Sequence, residues 1–138
     1  MKVDNVDYFS IWVDEFEKVR IIDQSLLPFE FKIVEMNSLE DILEAITNMR
    51  VRGAPLIGVT AAFGMFLSVS ESTEDSYIIQ ARDALISTRP TAINLQWSVD
   101  YILEKLLSLP KKIRKNESLK IAKKMHIDDE KINESIGI

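Results

Sequence analysis

The chain contains no cysteine. That excludes disulfides, thiolate metal sites and a cysteine nucleophile, and it fits a reducing compartment. There is one histidine, His126, with no second histidine and no carboxylate spacing to complete a ligand set, so no metal site is expected. No cofactor is expected either. There is no excess of basic residues: the formal net charge is −5, with a pI of about 4.9, so nucleic acid is not the default partner. The N-terminus shows no basic region followed by an apolar stretch, so no signal peptide is visible. The uncharged apolar run from Ala54 to Val69 falls short of the roughly 20 residues that a membrane span needs, and it holds Thr60, Ser68 and two glycines. Internal repeats and low-complexity segments are absent. What remains is 138 residues, 46% hydrophobic and 28% charged, ordinary for one soluble domain with a real core. A cytoplasmic chain with no membrane partner is expected.

The segments that are present are organised around Met49 to Leu67, MRVRGAPLIGVTAAFGMFL. Pro55 suits the first turn of a helix, where its missing N–H costs nothing and φ is already set. The run beyond it is apolar on every side, which implies a helix buried all round. Gly58, Ala61, Ala62 and Gly64 are small, and glycine inside a helix costs about 0.5–1 kcal/mol relative to alanine. That cost makes sense where another backbone approaches closely. The first helical turn carries unpartnered N–H groups and the positive end of the macrodipole. With Arg52 beside it, this entry has the makings of an anion site, most naturally for phosphate. The alternative is a core helix entered by a solvated arginine, and the physical features alone leave that open.

Before this helix, residues 1–36 read as short strands, Ser10–Val13, Lys18–Ile22 and Phe29–Glu35. In the last of these Phe29, Phe31 and Ile33 share one face. Ser38 can cap a helix, with Asp41 three residues on, and Leu39, Ile42, Leu43, Ile46 and Met49 form its apolar stripe. After a polar break at Ser70–Asp75, a helix to about Ser87 directs Tyr77, Ile78, Ala81, Ala84 and Leu85 inward. Pro90 disfavours helical geometry at Arg89, which therefore sits in an extended junction. Thr91 can cap the next helix, whose stripe reads Ile93, Trp97, Ile102 and Leu106. Arg89 is thus a second arginine at a loop before a helix start, and a guanidinium fork suits phosphate oxygens. Spacing alone does not say whether the two arginines meet. The last segment carries Lys111, Lys112, Arg114, Lys115, Lys120, Lys123 and Lys124, then acidic residues, with Ile121, Met125 and Ile132 as a weak apolar stripe. It reads as a solvated helix, with an RNA or acidic-partner surface as the alternative.

The expected fold is therefore α+β: a small three-stranded antiparallel meander over 1–36, then a bundle of about five helices over 38–138, as a single domain.

The residues also carry a resemblance. Met49-Arg-Val-Arg-Gly-Ala-Pro-Leu-Ile-Gly58 resembles the Arg-Gly-Ala-Pro signature of the methylthioribose-1-phosphate isomerases, a superfamily shared with ribose-1,5-bisphosphate isomerases and the regulatory subunits of translation initiation factor 2B. Ile22–Pro28 is similar to an Asp-Gln…Leu-Pro segment of that family, Thr88–Leu95 with Trp97 to its Arg-Pro-Thr-Ala-Val-Asn-Leu block, and His126–Ile138 to the segment preceding its second domain. Leu56 departs from the more usual alanine, which bears on packing.

The resemblance implies that Arg52, Gly53, Ala54 and Arg89 hold a sugar phosphate. It implies an aldose–ketose isomerase of methionine salvage that converts methylthioribose-1-phosphate to methylthioribulose-1-phosphate. The family's catalytic cysteine and aspartate lie in a second, Rossmann-like domain that this sequence does not contain. The chain thus resembles an isolated N-terminal domain, whether a truncated piece, a proteolytic product or a split gene product, without catalytic residues of its own and inactive alone. A separate catalytic domain or a homo-oligomer is the implied partner. The alternatives are a non-catalytic regulatory module like the initiation-factor subunits, or a domain of a ribose-1,5-bisphosphate isomerase.

Overall fold

The computed structural model describes residues 2–3, 6–7, 11–14, 16–26, 29–51 and 53–136, with side chains described between 11 and 127. Two short strands, β1 (Lys2–Val3) and β2 (Val6–Asp7), form an antiparallel pair of their own. The next three, β3 (Ile11–Val13), β4 (Val19–Ile22) and β5 (Ile33–Met36), form an antiparallel sheet in the order β3-β4-β5. Five helices follow: α1 (Leu39–Thr47), α2 (Ala54–Glu71), α3 (Asp75–Thr88), α4 (Ile93–Leu107) and α5 (Lys111–Ile136).

Register decides which face of the sheet is buried. Ile11 lies opposite Ile21, which lies opposite Val34; Val13, Val19 and Met36 form the next row. These side chains point into the core, because alternate residues of a strand share a face. The other face carries Trp12, Arg20 and Glu35 in register, and Arg20 pairs with Asp14 at 2.8 Å and Glu35 at 3.2 Å. The β3–β4 turn closes on the Asp14 carboxylate, which accepts from the Phe16 and Lys18 amides.

The alternation over 29–35 is misleading. Phe29 is 96% exposed in a turn whose amides at 29 and 30 donate to the Leu26 carbonyl. Pairing with β4 begins only at Ile33, which lies at the exposed end of the strand, so Val34 and Met36 face inward instead of Phe29, Phe31 and Ile33. A period of two shows alternation but not which phase is buried.

Helix α2 is the axis of the molecule, and the other four helices all pack against it. It is long and apolar enough to cross a bilayer by length and composition, but every residue from Ile57 to Val69 is buried within the fold. Its glycines are where neighbours come closest. A Cβ on Gly58 would lie 3.1 Å from the Asn94 carbonyl oxygen of α4, and one on Gly64 would lie 3.0 Å from Ile42 of α1 and 3.1 Å from Leu85 of α3. Leu56, the departure noted above, is half-buried against the core.

The α1 cap is reciprocal. The Asp41 amide donates to Ser38 Oγ at 3.4 Å, and the Asp41 carboxylate accepts from the Asn37 amide at 2.8 Å. Met49 does not continue the α1 stripe. The helix ends at Thr47, and Met49 turns outward with φ of 57°.

In α4 the buried face is Leu95, Ser98, Val99, Ile102, Leu103 and Leu106. Ile93 (78% exposed) and Trp97 (62%) lie on the opposite side with Tyr101, although the sequence stripe grouped them with Ile102 and Leu106. The α4 cap position is Ala92 rather than Thr91, and no side chain caps it.

Among the basic residues of α5, Arg114 is not solvated. It is 4% exposed and donates to the Leu109 and Thr73 carbonyls at 3.0 and 2.8 Å and to the Asp75 carboxylate at 2.5 Å, clipping α5 to the α2–α3 connection. Ile121 and Met125 pack against the core, and the side chain of Ile132 lies outside the described residues.

Candidate functional site

The turn that enters α2 is built from two directions. Val51 is fully buried and anchors it from below. Arg50 ties it to the loop after β4: its carbonyl accepts from the Gln24 amide at 2.7 Å, and its guanidinium pairs with the Asp23 carboxylate. The other oxygen of Asp23 accepts from the Ser25 amide at 3.0 Å and the Ser25 hydroxyl at 2.5 Å. Arg50 Nε donates to Glu44 of α1 at 2.9 Å, and the Arg50 amide donates to the Ala45 carbonyl at 2.8 Å.

Asp23 itself is 0% exposed. Burial alone pushes its carboxyl up, but the Ser25 donors and the Arg50 guanidinium outweigh that and hold it below the usual carboxylate range. On the Arg50 side, Glu44 raises the guanidinium most, desolvation opposes it, and Asp23 adds a smaller upward push.

Beyond this tie the chain reaches the residues expected to bind phosphate. Arg52 lies outside the described residues. Gly53 caps α2 with φ of 95° and ψ of 129°, in a region that favours glycine; a Cβ there would meet no atom within 4 Å, so the requirement is one of backbone conformation and not of space. Gly53, Ala54 and Pro55 are all exposed. The first intrahelical bond runs from the Ile57 amide to the Gly53 carbonyl at 2.9 Å, which leaves the Ala54 and Leu56 amides among the free donors of the first turn.

Arg89 ends α3 with φ of −147° and ψ of 77°, outside the helical region that Pro90 disfavours but short of fully extended, and is half-buried. Its backbone is held by Arg89 N–H to Ile86 O at 3.2 Å and Ala92 N–H to Arg89 O at 3.0 Å, while its side chain has no ion pair or hydrogen bond among the described residues.

The two junctions belong to helices that touch near their N-termini. Gly58 of α2 meets the backbone of Asn94 in the first turn of α4, and the Ser98 hydroxyl lies 2.9 Å from the Gly58 carbonyl and 3.0 Å from that of Leu95, donating to one or the other. Gly58 is four residues into α2, about 6 Å along the axis at 1.5 Å per residue. Neither N-terminus has a side-chain cap. Two positive dipole ends therefore lie near one another, and among the described residues no side chain caps either. Two clefts of about 190 and 200 Å³ lie elsewhere: one is lined by Phe16, Met36 and Lys115 among others, the second by Trp12, Phe63 and His126 among others. Neither includes a residue of the two junctions. Among the described residues no cluster of three potential ligands could hold a metal ion.

Comparison with known proteins follows the same blocks. Residues 50–138 match the profile of the initiation factor 2 subunit family. The chain belongs to that family. Relatives named methylthioribose-1-phosphate isomerase align along nearly the whole of it: that of Rhodospirillum centenum is 44% identical over 138 residues (99% of this chain, 37% of the relative), that of Sinorhizobium medicae 41% (99% and 38%) and that of Escherichia coli 40% over 139 residues (100% and 38%). This family member thus spans under two fifths of the length of those relatives. Two solved structures share its fold: the delta subunit of translation initiation factor 2B from A. fulgidus (TM-score 0.77, 31% identity, 84% of this chain and 36% of that one) and 5-methylthioribose 1-phosphate isomerase from Pyrococcus horikoshii (0.76, 34%, 84% and 35%).

Asp23 and Arg50 had no role in the reading of the sequence. The signal that was present is an Asp-x-Ser turn directly after a buried strand, the pattern by which an aspartate bonds the backbone two residues on.

Proposed function

We propose that this chain is the substrate-phosphate-binding domain of an aldose–ketose isomerase that converts methylthioribose-1-phosphate to methylthioribulose-1-phosphate in methionine salvage, in the cytoplasm. The observation that carries the reading is the contact of α2 and α4 near their N-termini, at Gly58 and Asn94, with neither end capped by a side chain and no partner for the Arg89 side chain among the described residues. Amides at Gly53 and Ala54, with Arg52 and Arg89, supply charge-assisted hydrogen bonds to a phosphate dianion. The names of the relatives supply the sugar.

A phosphate on C1 blocks simple ring opening, so the reaction needs a proton or hydride moved between C1 and C2 while that phosphate is held. The residues here provide the hold. They provide no titrating group to move the proton, and the chain has no cysteine. Alone it is expected to bind without turning substrate over. The partner is then a catalytic domain of the kind that the greater length of the relatives accommodates.

The likeness to the initiation-factor delta subunit favours a second reading, a regulatory module without a substrate. The experiment that separates them is a ¹H–¹⁵N NMR titration with methylthioribose-1-phosphate and, in parallel, with unphosphorylated methylthioribose. Saturable shifts centred on Gly53, Ala54 and residues 92–94 with the phosphate ester alone support the binding domain. Equal responses to both sugars, or none to either, contradict it.

A further inference from the structure

The Asp23–Arg50 pair is costly in isolation. Asp23 is completely buried, and the desolvation of such a carboxylate is repaid only by good geometry and full hydrogen bonding. Both conditions are met: two donors from Ser25 on one oxygen and the Arg50 guanidinium on the other. Buried ion pairs contribute little to stability relative to apolar packing of the same volume, so the arrangement calls for another explanation. What it achieves is a fixed position for residue 50. Four constraints converge there: the pair with Asp23, the Glu44 carboxylate on Nε, the Gln24 amide on the carbonyl, and the Ala45 carbonyl on the amide. On either side the chain takes left-handed geometry, at Met49 (φ 57°) and at Gly53 (φ 95°), and Val51 is fully buried. A left-handed methionine costs on the order of 1–2 kcal/mol and persists only where its surroundings over-determine it.

We propose that Asp23 and Arg50 are positioning residues, which hold the chain at Val51 so that the Gly53 and Ala54 amides are offered to a phosphate, without touching the phosphate themselves. This rests on the phosphate reading above. Arg50 is spent on the protein, with its guanidinium committed to two carboxylates, while the Arg89 side chain has no partner among the described residues. Arg50 thus faces the loop after β4 and α1 and is held by the protein itself. An oriented donor set loses much of its value when displaced by about 1 Å, with effects that reach on the order of a hundredfold.

The test is a ¹⁵N NMR titration with inorganic phosphate at constant ionic strength, on the parent chain and on Asp23→Asn, Arg50→Lys and Ser25→Ala, each below its own melting temperature. Ser25→Ala removes one of the two donors that fix the Asp23 carboxylate and so loosens the ion pair without breaking it, and it remains folded if the other two do not. The expected result is phosphate affinity lowered about tenfold in Asp23→Asn and Arg50→Lys, and less in Ser25→Ala, with the Gly53 and Ala54 amides already displaced before phosphate is added. Folded variants with parental affinity and parental Gly53 and Ala54 shifts, whatever their melting temperatures, would make the pair a matter of stability only and overturn the proposal. If the two ion-pair variants unfold, parental affinity in Ser25→Ala overturns it alone. If the parent chain itself shows no saturable shift at these amides, the phosphate reading fails and the positioning role falls with it, an outcome distinct from a parent that binds and variants that bind equally.

Discussion

At the scale of the residue, the group that departs furthest from its expected surroundings is Asp23, a charge with no exposure at all. Its carboxyl is held below the usual range in the folded chain and returns to about 3.9 when unfolded. The sign follows: the unfolded state binds the proton more readily, so the stabilisation is fully present above about pH 4 and is lost as pH falls through the lower folded value. Asp14, held down first by the Arg20 side chain and then by the Lys18 amide, adds a contribution of the same sign. Chemical denaturation of the parent chain between pH 7 and pH 2 is expected to show a steep loss of stability below pH 4. Asp23→Asn is expected to be less stable at pH 7, by about 2–3 kcal/mol, and to have a flatter acid limb. An acid limb identical to that of the parent would place the proton uptake on other carboxylates.

At the scale of the element, helix α2 decides most of the architecture, and it packs most extensively against α4. Gly58→Ala puts a methyl group 3.1 Å from a backbone oxygen that belongs to a helix and cannot rotate away. Overpacking of this kind costs about 1–3 kcal/mol, more than the helix propensity of roughly 0.5–1 kcal/mol that alanine returns. Urea denaturation is expected to show a net loss of about 1–2 kcal/mol; a gain would mean that α4 shifts freely. At the other end of α2, Arg114 joins three elements through two carbonyls and Asp75. Asp75 is itself largely exposed, so the ion pair adds little beyond the hydrogen bonds. Arg114→Leu is expected to cost about 2–3 kcal/mol, mainly from two carbonyls left without donors, and thermal melting measures it.

Composition and period made the existence and order of these elements legible, because a 16-residue uncharged run and the Pro and Ser boundaries act locally. The phase of burial was less legible. Ile93 and Trp97 share a spacing with Ile102 and Leu106 but not a face, since Gly58 and Ser98 set the rotation of α4, and only the fold brings those two together. Arg114 was hidden among lysines of the same charge. Of the proposed site, the sequence marked out Gly53 by its motif and Arg89 by the proline after it, whereas the Asp23–Arg50 pair forms only where the fold brings the loop after β4 against residue 50.

At the scale of the whole molecule, the chain is a family member that covers 38% of several relatives named for an isomerase. Its described surface carries one ordered apolar row, Ile93, Trp97 and Tyr101 along α4, with the two rings stacked at 5.2 Å and Lys105 Nζ 5.5 Å from the Tyr101 ring. The occupant we propose for it is the catalytic domain that the greater length of the relatives accommodates, with self-association through the same row when that domain is missing. Sedimentation velocity is then expected to show concentration-dependent association that Trp97→Glu reduces; a parent chain that stays monomeric at high concentration counts against it. The central claim, that the α2 and α4 entrances form one phosphate site, needs one measurement: a phosphate titration read at the Gly53 and Ala54 amides in the parent, Arg52→Ala and Arg89→Ala chains. A dissociation constant in the millimolar range, about −4 kcal/mol, that weakens with added salt and is lost in either variant, is the result expected. Amides that do not move in the parent chain, or that respond unchanged when Arg89 is removed, would contradict it.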